Sequence, residues 1–362
     1  ADVSVGRGVG AVAGGSGSNV SLAYLKEDDA RQLRADLLAA SAGLKAARGL
    51  TPGGSSVSPA ALDGPEQPIY AVPVGRLIGS LLLSVGSVFV LTTSVIVAAI
   101  VVVQRQIAFL VSVAPALLGL WGVLWARFVG GFNFHASLAA DGIRLRHGML
   151  ESRQQTLPPG RVQALAIRQG PVWRPKDWWR VTINVAGYGV ENAEKVSTLL
   201  PVGTFDDVTR AVWLVLPDLG TADPRGLLRL AMTGTGSMGG FTTVSRRARI
   251  VDPFTWRRTG FIQTDRAMII RTGWLLRTVT IVPHEKTQSL GVTQGPIERA
   301  LGIVSFRLHS TQGSITPKIP HLDPYVADQL MTDQSARSRA ARSAARPEQW
   351  LRPLLAGDGE LG

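Results

Sequence analysis

The chain contains no cysteine in 362 residues, which excludes a disulfide framework, a thiolate nucleophile and every metal site built on thiolates. Histidine is nearly as scarce. The five, at 135, 147, 284, 309 and 321, are not spaced as metal ligands, and H-E-x-x-H does not occur. A P-loop and a nucleophile elbow are also missing from the sequence. The single G-x-G-x-x-G, GTGSMG at 234–239, follows the helix-like LLRLAM and precedes GFTTVS, so it lacks the strand and helix that a dinucleotide site needs. No catalytic residue, cofactor or metal is expected, and the chain does not read as an enzyme. Acidic residues are in short supply too: 26 Asp and Glu against 38 Lys and Arg give a net charge of +12. That excess points to an anionic partner. Part of it reflects a general bias toward Arg in a chain rich in Ala and Gly.

Charge is absent altogether from two adjoining runs, 77–103 and 107–126. A bilayer core takes about 20 apolar residues in a helix, so both can span. Two such runs side by side weigh against a buried pair in a soluble protein. The polar link Gln104-Arg105-Gln106 allows only an antiparallel hairpin. Arg76, Arg127, Arg144 and Arg146 flank its ends, against the lone Arg105 in the link, which puts the ends in the cytoplasm. Trp121 and Trp125 suit an interfacial belt or helix packing equally, and Pro115 is tolerable in a membrane helix. Without an ionisable residue the runs line no ion path, so a transport role extends no further than an accessory subunit.

What the chain does have is one phrase written twice. QALAIRQGP at 163–171 and QSLGVTQGP at 288–296 agree at five of nine positions with an offset of 125. The alignment extends through Pro158 and Pro283, Arg161 and Lys286, and Arg174 and Arg299, and with one gap it reaches Gly148 and Gly273. The unit is therefore a domain. Its segments (IRLRHG, AMIIRTG, VQALAIRQ, RVTINVAG) are short, alternating and β-branched, bounded by Gly or Pro, and read as strands. Each copy ends in a strand and a helix-like stretch, with Thr204 or Asp206, and Asp323, as N-caps. The same ending recurs at 20–39, so the chain is expected to begin inside an earlier copy of a longer protein.

The organisation expected is then the end of a truncated repeat at 1–40, a linker at 41–76, the hairpin at 77–126, repeats at 132–217 and 255–332 around a connector at 218–254, and an Arg-rich solvated tail at 333–362. Within the phrase, Leu165 and Leu290 point to the core. Gln163, Gln169, Gln288 and Gln294 sit at its rim, where amides satisfy strand ends, and Gly170-Pro171 and Gly295-Pro296 turn the chain.

A membrane hairpin joined to repeats of P-x-x-[RK]-x-Q-x-L-x-[VI]-x-Q-G-P resembles the bacterial pleckstrin-homology (PH) membrane proteins of the second bacterial type, over 70–332 and the fragment at 1–40. The resemblance implies a mainly β, α+β fold: seven-stranded, partly open barrels made of two antiparallel sheets, each closed by a C-terminal helix. It implies a further hairpin ahead of the first repeat. It also implies a multi-pass protein of the bacterial inner membrane with cytoplasmic PH-like domains. The function implied is a non-catalytic scaffold or binding module, linked in some relatives to envelope stress or resistance to membrane-active peptides. The phosphoinositide-binding basic loop of eukaryotic PH domains is not recognisable in the sequence. The partners expected are the membrane, proteins or further copies of the chain, and anionic lipids, but not nucleic acid. For the lipid alternative the candidate contacts are Arg144, Arg146, Arg161, Arg271 and Lys286.

Overall fold

The computed structural model describes residues 67–104, 107–139, 142–148, 153–157, 159–186, 198–311 and 313–344. The truncated repeat expected at 1–40, most of the linker and the last part of the tail lie outside them.

Fourteen strands occur among the described residues, in two sets of seven. The first set opens with β1 (Gln67–Ala71), then leaves the sheet for three helices, α1 (Val74–Leu82), α2 (Val85–Gln104) and α3 (Ile107–Gly131). It resumes with β2 (His135–Ala139), β3 (Gly142–His147), β4 (Arg153–Leu157), β5 (Val162–Gln169), β6 (Trp179–Val185) and β7 (Thr198–Gly203), and ends in α4 (Phe205–Val215). After α5 (Pro224–Thr233) the second set runs β8 (Thr242–Thr243), β9 (Gly260–Gln263), β10 (Ala267–Thr272), β11 (Arg277–Pro283) and β12 (Ser289–Thr293). It continues through α6 (Pro296–Ala300), β13 (Val304–His309) and β14 (Lys318–Leu322) and ends in α7 (Pro324–Ala344). The repeat offset carries the first residues of β2, β3 and β6 onto those of β9, β10 and β13. Gly148 and Gly273, aligned after β3 and β10, both have positive φ, 122° and 76°. A Cβ at Gly273 would lie 1.9 Å from the Leu276 carbonyl oxygen, so only glycine fits this turn.

The strands form three antiparallel sheets: β1-β2-β3-β4, β12-β13-β14, and a seven-stranded sheet ordered β7-β6-β5-β11-β10-β9-β8. Each set thus divides into four strands and three. The three of the first set continue edge to edge into the four of the second through β5 and β11, with Leu165 opposite Ile281 and Gln169 opposite Arg277. This position decides the burial of the repeated phrase. In β5, flanked by β6 and β11, Leu165 and Ile167 are fully buried. In β12, at a sheet edge, Leu290 is half-buried and Val292 is 43% exposed. The rim amides keep one role in both copies: Gln169 Nε2 donates to the Trp178 carbonyl at 3.3 Å and Gln294 Nε2 to the aligned Ile303 carbonyl at 3.1 Å. Gln163 Nε2 reaches the Arg161 carbonyl at 3.3 Å, while the Gln288 side chain is exposed. Gly170-Pro171 and Gly295-Pro296 open a 3-10 turn (171–176) and α6, with proline in the first helical turn, where its missing N–H is not needed.

Helices α2 and α3 pack on one another, and each contains a run long and apolar enough to cross a membrane, Val85–Val103 and Val113–Gly131. The first run was expected from 77. The helix instead breaks at Leu83-Ser84, and 77–82 belong to α1, an amphipathic helix that lies on the first set. Leu77 and Ser80 are buried there, and Arg76 Nη1 meets Asp207 Oδ2 at 2.6 Å. Asp207 also accepts from the Thr204 backbone N–H at 3.0 Å, which caps α4 at Thr204.

Two other expectations change. Segment 218–254, read as a connector, supplies α5, whose Leu228, Ala231 and Met232 are fully buried in a core that the first set shares with β10 and β11, and β8 of the large sheet. Residues 333–344, read as the start of a solvated tail, prolong α7, with Gln334 fully buried and Ser338 3% exposed. Arg-rich composition suggests solvation, but the helix turns its small and amide side chains inward and its guanidinium groups outward or along the surface.

Candidate anion-binding cleft

In the first set the connection from β1 to β2 carries α1, α2 and α3; its counterpart in the second set, from β8 to β9, is residues 244–259. That stretch, VSRRARIVDPFTWRRT, has five Arg against one Asp. It folds locally: Ser245 caps a 3-10 turn at Arg246–Ile250, and the Asp252 N–H returns to the Ala248 carbonyl at 2.7 Å. Together with the β10–β11 turn it walls a cleft of about 690 Å³. Arg249, Arg257, Arg258 and Arg277 line it with Phe254, Trp256 and Trp274, and no carboxylate does among the described residues.

The guanidinium groups differ in duty. Arg258, 3% exposed, donates to the Ala231, Met232 and Gly234 carbonyls at 3.1, 2.7 and 2.9 Å, and so closes the negative C-terminal end of α5. Burial, then the charges of Arg277, Arg271 and Arg174, push it down to about 9, so it stays protonated at neutral pH. Arg271 is fully buried: Nε donates to the Arg258 carbonyl at 3.0 Å, Nη2 donates to the Gly236 carbonyl, and the group lies 4.1 Å over the Phe241 ring. Burial lowers it to about 10. Its role is to hold the cleft wall, and the expectation that it contacts lipid is corrected, because no head group reaches a side chain enclosed on all sides. Arg277, half-buried, is lowered by burial and then by Arg174, and it donates to Gln169 Oε1 at 3.3 Å. Arg257 is exposed over Trp256 at 5.4 Å. Nε of Arg174, Nε of Arg258 and Nη1 of Arg271 are buried and meet no acceptor among the described residues. The more accessible lining guanidinium groups, Arg249, Arg257 and Arg277, with aromatic walls and no acid among the described lining residues, make a site that an anionic oxygen cluster would complete.

The 171–176 turn connects the cleft to α1, the helix that precedes the apolar pair. Trp173 Nε1 donates to the Ser80 carbonyl in α1 at 3.0 Å, and the next residue, Arg174, donates through Nη2 to the carbonyls of Trp274 and Leu275. The rim there is apolar and open: Phe254 is 68% exposed, Trp274 51%, Leu275 52% and Leu276 59%, with the rings of Phe254 and Trp274 5.6 Å apart.

None of the five residues expected from the sequence lines this cleft. Arg144 and Arg146 lie on β3, half-buried and exposed. Arg161 is exposed at the end of a 3-10 turn, and Lys286 Nζ donates to the neighbouring Gly160 carbonyl at 2.9 Å and pairs with Glu285 at 3.0 Å. The structure brings Arg161 and Lys286 near each other but gathers no single site from the set. Arg174, Arg249, Arg257 and Arg277 were missed. For Arg249 and Arg257 the signal was R-R-A-R and W-R-R within one segment, an Arg density beside aromatics that whole-chain composition conceals; Arg174 and Arg277 lie outside that segment and carried no such signal.

A family model described as bacterial PH domain matches residues 80–212 and 219–338. No curated relative matches the chain. The two matches lie one on each strand set and together take in well over half of the sequence, and the chain belongs to the bacterial PH domain family.

Proposed function

We propose that the chain is a membrane-anchored, non-catalytic PH-domain protein whose second repeat binds anionic lipid head groups in the Arg and Trp cleft. The observation that carries this reading is the path from Ser80 through Trp173 and Arg174 to Trp274, which ties the wall of the Arg and Trp cleft to α1, the helix that leads into the apolar pair. Exposed Val95, Val102, Val111 and Leu118 on that pair, 68% to 74%, support a lipid surrounding over a protein core. In this reading the hairpin spans the bacterial inner membrane with both ends cytoplasmic, and the two strand sets are partly open barrels closed by α4 and α7. Head-group phosphates would then meet Arg249, Arg257 and Arg277 while Trp274 and Leu275 enter the interface.

The test uses the full chain in nanodiscs with brominated phosphatidylglycerol or brominated phosphatidylcholine at equal mole fraction. Tryptophan quenching should be stronger with the anionic lipid, and Arg249→Gln with Arg257→Gln should remove the excess. Equal quenching by the two lipids would sink the proposal. Scaffolding, the reading placed first on the sequence, retains one specific observation, the sheet edges at β4 and β12, each with a single strand neighbour among the described residues.

A further inference from the structure

Where the two sets meet, the fifth strand of the first is paired with the fourth strand of the second, through Leu165 and Ile281, Ala166 and Thr280, Ile167 and Val279, Arg168 and Thr278, and Gln169 and Arg277. One fourth strand and one fifth strand remain. These are β4 and β12, each at a sheet edge with a single strand neighbour among the described residues. They are the repeat counterparts of β11 and β5, so the two halves of the observed junction recur, each at the edge of its own sheet and unpaired on that side among the described residues.

Proteins blunt exposed edges with Lys, Pro, bulges or charge, because a row of unpaired N–H and C=O groups invites another strand. β12, SLGVT, has none of these devices, and it pairs with β13 without a bulge. Val292 on it is 43% exposed. On β4, Gln155 is half-buried with Nε2 meeting no acceptor among the described residues. We infer that copies of this chain associate head to tail, with β12 of one molecule pairing antiparallel with β4 of the next. Carrying the observed register across by the repeat offset of 125 sets Leu290 opposite Thr156, Gly291 opposite Gln155, Val292 opposite Gln154 and Thr293 opposite Arg153. Glycine then stands opposite Gln155, where no side chain on β12 crowds the half-buried glutamine.

The contact joins unlike strands, so it is heterologous and propagates. Its planar form rests on the proposed membrane anchoring: hairpins standing in one bilayer restrict the rotation between copies to an axis along the membrane normal, giving a ring or a row. The pairing itself rests on the junction and is independent of the cleft.

The cysteine-free sequence makes the test direct. Full-length Val292→Cys and Gln154→Cys are mixed in native-lipid nanodiscs or mild detergent and oxidised. Paired Cα atoms about 5 Å apart are within disulfide reach, whereas a shift of two residues puts them beyond about 7 Å. The mixture should give a disulfide dimer, and the double variant should give a ladder. Val292→Cys with Thr156→Cys should give on the order of tenfold less product. Val292→Lys, at an exposed position, should reduce the mass by light scattering to a monomer. Crosslinking of Val292→Cys with itself, a monomeric mass for the parent chain, or a Gln154→Cys thiol shielded from maleimide by the chain's own residues would each overturn the inference. Arg249→Gln and Arg257→Gln should leave the ladder unchanged, so failure of the lipid reading and failure of this one are distinguishable.

Discussion

The carboxamide of Asn184 lies against the backbone of Ile315, 131 residues away: Nδ2 donates to the Ile315 carbonyl at 2.8 Å and Oδ1 accepts the Ile315 N–H at 3.0 Å. Asn184 is 2% exposed, and Ala164, Ala166, Val282 and Ile315 form a small apolar cluster at the same seam. The seam between the repeats is therefore packed like a core. His309, the residue aligned with Asn184, sits exposed at the far end of the array, where no following repeat supplies a partner among the described residues.

Replacing Asn184 by Ala strands a buried N–H and a buried carbonyl at once. Each costs about 1–3 kcal/mol, so a loss of roughly 3 kcal/mol is expected at the seam. Chemical denaturation of the parent should show the two repeats unfolding together, and Asn184→Ala should separate them into two transitions. An unchanged single transition would mean that the strand pairing alone couples them.

Gln334 is the hub of the unexpected half of α7. Its Oε1 accepts from Gln263 Nε2 at 3.0 Å, and its Nε2 donates to Thr287 Oγ1 and Ser338 Oγ at 3.3 Å each. Gln334→Leu keeps the bulk but leaves Gln263 unpartnered, and should lower stability by about 2 kcal/mol. Removing 333–362 should do more. Proteolysis of the truncated protein at 284–287, which Arg342 also ties down through the Thr287 carbonyl at 2.8 Å, is the readout.

Much of this was written in the sequence. The repeat, the strands and the apolar pair follow from periodicity, because side-chain alternation and unbroken apolar length are local properties. The burial of β5 against the exposure of β12 was not legible: nearly the same phrase occupies both, and the difference comes from β11 arriving beside only one of them. The cleft was hidden for a related reason. Arg258 and Arg271 are indistinguishable from solvated arginines until α5 presents its C-terminal carbonyls and Phe241 its ring.

His284 gives a pH signature. It is fully buried, with Nε2 2.9 Å from the Thr264 carbonyl, which makes Nε2 the donor, and with Nδ1 meeting no acceptor among the described residues. Burial, then the Arg337 charge, lowers its pKa against the Thr264 bond. A folded pKa below the unfolded value of about 6.5 favours the neutral ring, so its contribution is complete above that pH and is lost as pH falls toward the lowered value. The thermal midpoint of the full chain in detergent should fall from about pH 6.5 downward. His284→Gln, which retains a donor, should flatten that slope; an equally steep slope would assign the effect elsewhere.

Topology is testable with introduced cysteines. Arg105→Cys should react with an impermeant maleimide on intact cells, and Ala336→Cys, exposed on α7, only after the membrane is opened. The reverse pattern would invert the proposed orientation and take the cleft away from the anionic cytoplasmic leaflet.

The rim of the cleft gives the sharpest test of how the second repeat sits. The β10–β11 turn bears Trp274, Leu275 and Leu276, while the turn before β10 carries exposed Asp265 and Arg266. Six residues of strand separate them, about 20 Å at 3.3 Å per residue. If the apolar turn enters the interface, an environment-sensitive fluorophore on Leu275→Cys should shift to the blue and be quenched by brominated acyl chains. The same probe on Asp265→Cys should behave as in water. Arg249 and Arg257 each contribute roughly 1 kcal/mol near an anionic surface, so replacing both by Gln should weaken insertion about thirtyfold. Screening over about 8 Å at physiological ionic strength makes the same shift salt-sensitive. Replacing Arg144, Arg146, Arg161 and Lys286 instead should change it little, because none of the four lines the cleft. A larger response to those four than to Arg249 and Arg257 would move the lipid contact away from the cleft, to β3 and the neighbourhood of Arg161 and Lys286.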